Sequence, residues 1–137
     1  AMAEAGVTAV LLPGTSFYLM SGKYAEARKM MRMGIRVVLA TDYNPGSCPT
    51  ENLQAIMPFA CYGMKLTPEE IIRCVTLNAA YAIDRASEIG SMEPGKKADF
   101  VVFDAPNLNY VVYHFGINHV DKVIKNGKIV VSQGTMI

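Results

Sequence analysis

In the segment RVVLATDYNPGS, residues 36–47, an apolar run ends at Thr41-Asp42, and Asn44, Gly46 and Ser47 follow the aspartate within five residues. A carboxylate there can accept a proton or hold a cation. The same residues are also good turn chemistry, with Asx hydrogen bonding, a fixed φ at Pro45 and a free φ at Gly46. Local sequence is compatible with both roles.

Few other residues compete for chemistry. His114 and His119, the two histidines, lie five apart in HFGINH. On a strand that spacing puts them on opposite faces, and on a helix it is poor for joint ligation, so packing rather than a shared metal is expected. Cys48, Cys61 and Cys74 are odd in number and form no C-x-x-C pair, which argues against a disulfide framework or a zinc knuckle. Cys61 and Cys74 fall in apolar helical patterns and read as small core residues; Cys48 sits beside the Asp42 motif. Thr15 or Tyr18, after another apolar run, could line the same pocket, and a plain turn explains them equally well.

The elements that must position these groups follow from periodicity. VTAVLL (7–12) and IRVVLA (35–40) read as strands buried on both faces, as in a parallel sheet covered by helices. Between them KYAEARKMMRM repeats apolar residues at helical spacing and closes at Gly34, completing a βαβ unit. TENLQAIMPFACYGM predicts a helix with Leu53, Ile56, Met57, Ala60, Cys61 and Met64 on one face and a kink at Pro58 on another. TPEEIIRCVTLNAAYAI starts with a capping box, Thr67 at N-cap, Pro68 at N1 and Glu70 at N3. Beyond residue 85 the period changes: ADFVVFD, VVY and VDKVIKNGKIVV read as short strands, with Asn126-Gly127 as a type I′ hairpin. Asp42 thus falls at the C-terminal end of a buried parallel strand, the edge where a (β/α) barrel gathers catalytic groups.

The series LLPGTSFYL, LATDYNPGS, TPEEIIRCVTLNAAYAI, IGSMEPGKKADFVVFDAPN, YHFGINHV and VIKNGKIVV closely resembles the C-terminal third of the imidazolonepropionase family, within the amidohydrolase superfamily. GSMEPGKKADFVVFD and the NGK hairpin resemble the superfamily at large; TDYNPGS and YHFGINH point to this member. The resemblance implies an α/β fold in two parts. Residues 1–88 would be the last βα units of a (β/α)8 TIM barrel, and residues 89–137 short strands of a composite β-sandwich. A full barrel takes about 250 residues, so the chain is expected to be incomplete, with an H-x-H pair and the other catalytic groups upstream.

The resemblance also assigns roles. Asp42 is implied as a ligand of one divalent metal ion, zinc or iron, and as a catalytic group; Asn44, Gly46 and Ser47 are implied as substrate-binding residues. The implied reaction is hydrolysis of the cyclic amide of 4-imidazolone-5-propanoate to N-formimidoyl-L-glutamate. Two rivals stand beside it: another amidohydrolase, such as a deaminase or cyclic-amide hydrolase, and a non-catalytic folding or assembly module.

Bulk properties narrow the partners. Thirteen basic against twelve acidic residues, with no Lys/Arg run longer than two, point to neither a nucleic acid nor an anionic membrane. No apolar run nears the roughly 18–20 residues of a membrane span, and the N-terminus lacks the pattern of a signal peptide. A cytoplasmic enzyme with a small-molecule substrate is expected. Self-association into a homo-oligomer is also expected, because a barrel cut open exposes strand edges and apolar faces.

Overall fold

The computed structural model describes residues 1–137. Strands β1 (Thr8–Leu11) and β2 (Arg36–Leu39) pair in parallel, Thr8 opposite Arg36 and Leu11 opposite Leu39. Two short helices connect them, α1 (Pro13–Tyr18) and α2 (Ala27–Arg32). Helices α3 (Leu53–Met64), α4 (Pro68–Val75) and α5 (Leu77–Ala82) follow β2. Strands β3 (Phe100–Phe103), β4 (Val120–Lys125), β5 (Lys128–Ser132) and β6 (Thr135–Met136) form an antiparallel meander in that order, and helix α6 (Leu108–Tyr113) lies between β3 and β4 in sequence.

β2 meets the expectation of burial on both faces: Val37, Val38 and Leu39 are all buried. β1 does not, since Val10 stays half exposed. Helices α2, α4 and α5 pack against β2, whereas β1 makes comparable contact with β2 alone. The core lies where β2, α3 and α4 meet, around Val37, Leu39, Ile56, Leu66 and Ile71, with Val112 of α6 closing one side. Each such aliphatic side chain, fully buried, contributes about 1.5–3 kcal/mol. None of the residues in β3–β6 is buried.

The starts of α3 and α4 follow local chemistry closely. The Thr67 hydroxyl accepts from the Glu70 N–H and the Glu70 carboxylate accepts from the Thr67 N–H at 2.8 Å, the full capping box. The same carboxylate takes a two-pronged ion pair from Arg28, at 2.9 and 3.2 Å, which ties α2 to α4. Asn52 caps α3 by accepting the Gln54 N–H at 3.0 Å.

Three expectations need correction. The helical pattern from Pro68 onward breaks at Thr76, whose hydroxyl donates to the Ile72 carbonyl at 2.7 Å, so α4 and α5 are separate. A threonine bonding its i−4 carbonyl bends a helix, and here the backbone leaves helical φ/ψ altogether. Pro58 is not off the core face: it is fully buried, because α3 is covered on more than one side. The VVY segment is not a strand. It lies in α6, capped by Asn107 accepting the Tyr110 N–H at 2.9 Å, with Val111 and Val112 buried. Two adjacent β-branched residues favour a strand in isolation, but the cap and the apolar surface of α3 and α4 outweigh that preference.

The hairpin at Asn126-Gly127 forms as expected, with φ of +50° and +76° as a type I′ turn requires. Gln133-Gly134 repeats that geometry before β6, φ +49° and +72°, although glutamine is not a usual residue for it.

Candidate active site

β2 delivers the chain to Asp42 at its C-terminal end, and residues 44–48 beyond it close into a ring. Asn44 and Cys48 make an isolated antiparallel bridge, Asn44 N–H to the Cys48 carbonyl at 3.0 Å and Cys48 N–H to the Asn44 carbonyl at 3.3 Å. Inside this ring the Asn44 amide is the hub. Its Oδ1 accepts the N–H of Gly46 at 2.9 Å and of Ser47 at 2.8 Å. Its Nδ2 donates to the Asp42 carbonyl at 2.6 Å and to Ser47 Oγ at 2.9 Å.

These bonds modify two expectations about the loop. The Gly46 N–H, the group through which a substrate-binding Gly46 would act, is taken by Asn44 Oδ1. Nor does Gly46 use a glycine-only conformation: the left-handed residue is Asp42, at φ +52°. Aspartate tolerates that region better than most residues because its short polar side chain bonds locally, yet the conformation persists only where the surroundings hold it.

Asp42 is exposed, and the one hydrogen bond to the residue uses its backbone carbonyl. Its carboxylate has no side-chain hydrogen bond or ion pair, so both oxygens are free toward solvent. A free carboxylate at the end of a parallel strand fits a metal as one ligand. It does not make a site alone: a catalytic zinc takes about three protein ligands, and no three His, Cys, Asp or Glu side chains of this chain cluster to hold an ion. Asn44 and Ser47 are half-buried beside Asp42, and Gly46 is exposed.

The remaining candidates make no hydrogen bond to the Asp42 loop. Tyr18 is exposed, whereas Thr15 Oγ1 is buried without a hydrogen-bond partner. His119 is buried and its Nε2 lies 2.9 Å from the His114 carbonyl, while the Tyr110 ring stacks on His114 at 3.9 Å. This is packing against the helical half, through α6 and α3. Cys74 is fully buried, and burial pushes its thiol up to about 11, which leaves it inert. A cavity of about 880 Å³ opens between α3, α5 and the C-terminal sheet, lined by Met57, Val75, Ile83, Phe100 and Val123 among others. It is apolar and separate from the Asp42 loop.

One contact had no signal in the sequence: Gln54 on α3. Its Oε1 accepts the His119 N–H at 3.1 Å and its Nε2 donates to Asn118 Oδ1 at 2.8 Å. A glutamine in an amphipathic helix reads as solvent-facing, and a separation of 65 positions hides the pairing.

Residues 3–130 match the sequence profile of the amidohydrolase family. The chain belongs to the amidohydrolase family. It is 65% identical over 136 residues to the imidazolonepropionase of Alkaliphilus metalliredigens, an alignment covering 99% of this chain and 32% of that protein. The imidazolonepropionase of Treponema denticola is 62% identical, with 100% of this chain and 33% of that protein covered. The chain therefore spans about a third of the length of these relatives. Among solved amidohydrolase-like folds, a zinc-bound adenosine deaminase from Xanthomonas campestris superposes with a TM-score of 0.87 at 28% identity, over 98% of this chain and 34% of that one. A zinc-complexed atrazine chlorohydrolase from Arthrobacter aurescens gives 0.84 at 21% identity over 98% and 33%, a likeness of fold alone. Two parallel strands cannot close a barrel of eight, and the chain is correspondingly a part of that fold.

Proposed function

We propose that this chain is the C-terminal part of an imidazolonepropionase, opening the cyclic amide of 4-imidazolone-5-propanoate to N-formimidoyl-L-glutamate in histidine degradation. The observation that carries the proposal is the 65% identity to an imidazolonepropionase along nearly the whole chain, with a free carboxylate at the barrel-strand end. In this proposal residues 1–88 belong to the barrel and 89–137 to a composite β-sandwich. The parent is a cytoplasmic homo-oligomer; in this chain no helix is long and apolar enough to cross a membrane.

Asp42 would hold one divalent ion, zinc or iron, together with ligands contributed by the rest of the parent. The chemistry such an ion supplies when bound is activation of water at neutral pH. Asp42 takes the proton of the attacking water as the C–O bond forms and returns it to the ring nitrogen as the C–N bond breaks. Asn44 and Ser47 shape the wall beside it, and Gly46 keeps that wall low enough for a planar ring to approach.

The test is turnover of imidazolone propionate by the full-length parent, measured against other cyclic amides and against purine deamination. A second reading, a deaminase, draws on the fold likeness to the Xanthomonas campestris enzyme at 28% identity. Purine deamination without imidazolone hydrolysis would establish it instead.

A further inference from the structure

The loops leaving β1 and β2 touch at one point. Gly14, in the first turn of α1, is buried, and a Cβ placed on it would lie 2.6 Å from Ile56 Cδ1 and 2.8 Å from Cys48 Sγ. Both distances are shorter than real side chains tolerate. Ile56 can yield by rotating its terminal methyl. Cys48 has a single χ angle, and its backbone N–H and carbonyl are both bonded to Asn44, so moving its sulfur moves the base of the loop.

The loop has two anchors in the core, Leu39 at 3% exposure and Cys48 at 2%. Every residue between them from Ala40 to Ser47 is exposed or half-buried. Asp42 sits in this span with a left-handed φ, and its carbonyl accepts the Asn44 Nδ2 bond that ties it to the closed ring. Releasing Cys48 would leave only the Asn44 side chain holding Asp42 on its far side, without an anchor in the core, so that the carboxylate can swing away.

We propose that Gly14 and Cys48 are positioning residues for Asp42: the thiol occupies a slot that the missing side chain at position 14 leaves open, and this seat holds the Asn44–Cys48 ring and the carboxylate it carries. The inference rests on the proposed role of Asp42 in hydrolysis.

The experiment uses the full-length parent carrying Gly14→Ala, Cys48→Ala or both. It reads kcat and KM with imidazolone propionate, zinc retained after dialysis, iodoacetamide labelling of Cys48 located by mass spectrometry, and thermal melting. Gly14→Ala is expected to lower kcat on the order of a hundredfold, as a displacement of about 1 Å can, with a smaller change in KM and faster labelling of Cys48. Adding Cys48→Ala to Gly14→Ala should recover kcat to the level of Cys48→Ala alone, because the new methyl takes the space of the sulfur. A Gly14→Ala enzyme with wild-type kcat and wild-type labelling, or a double variant no better than Gly14→Ala, overturns the proposal. If Gly14→Ala does not fold, Cys48→Ala decides: it must lower kcat of the folded fraction, and wild-type kcat there also overturns it. A wild-type parent inactive on imidazolone propionate sinks the functional proposal instead, and the labelling comparison still tests the seat of Cys48.

Discussion

Two polar clusters in this chain spend their hydrogen bonds in opposite ways. In the Asp42–Cys48 loop, Asn44 satisfies Gly46, Ser47 and the Asp42 carbonyl, and the Asp42 carboxylate is left over. At the junction between α3 and the segment entering β4, Gln54 uses both ends of its amide on Asn118 and His119, Asn118 Oδ1 also takes the Val120 N–H, and His119 is buried on the His114 carbonyl. What is left over at the junction is a buried ring nitrogen, His114 Nδ1, and not an exposed carboxylate. The difference teaches where to look for chemistry: partnered groups set geometry, and an unpartnered charge held by them can act.

The largest effect should come from the leftover charge. In the full-length parent, Asp42→Asn should cost more activity than the roughly 10–100-fold typical of residues one step removed from a metal. Asparagine accepts the left-handed backbone and the site is exposed, so stability should stay within about 0.5 kcal/mol. Near-normal kcat/KM in that variant would erase the distinction between the clusters.

The opposite pattern is expected at the junction. His119→Ala opens a cavity and strands the His114 carbonyl, which should lower unfolding stability by about 2–3 kcal/mol in urea titration while leaving kcat of the folded fraction little changed. A stability loss below about 0.5 kcal/mol would show the junction to be ornamental. Asn44→Ala lies between the two. It removes the side-chain hub of the loop but keeps the backbone bridge to Cys48, costing about 1–2 kcal/mol locally, and should raise KM more than it lowers kcat. Equal loss in both constants would place Asn44 in the chemistry itself.

The smallest effect belongs to a third cluster outside both. Lys97 and Arg85 beside the half-buried Glu88 lower its carboxyl from about 4.5 to about 2. A pKa depressed in the folded state means stability that is present above about pH 4.5 and lost as pH falls toward 2. The stability gap between wild type and Glu88→Gln should therefore be small at pH 7, shrink with added salt, and close over that acid range. A gap that persists at pH 2 would rule out the ion pair as its cause.

How much was legible in the sequence depended on the range of the determining contact. The Thr67 capping box, the Asn126-Gly127 turn and the β2 strand are set by residues within a few positions of one another, and all three form. VVY went wrong because its helix is decided by a surface made from α3 and α4, some forty residues away. The break at Thr76 hung on one hydroxyl choosing a carbonyl over solvent, a choice of small energy that composition does not encode. At the candidate site, Asp42 was visible from its place after an apolar strand, whereas the seat of Cys48 under Gly14 was not, because nothing in either segment signals that their loops meet.

Local chemistry in the sequence determined the turn at Asp42 to Ser47, the helix starts and the resemblance that the amidohydrolase match supports. Only the tertiary structure decided which groups of that turn are consumed and which remain free, since hydrogen-bond partners are settled by where the backbone brings them. Asn44 is spent on the loop and Asp42 is not, because the ring closes through Cys48 in the core and leaves the carboxylate on the outside.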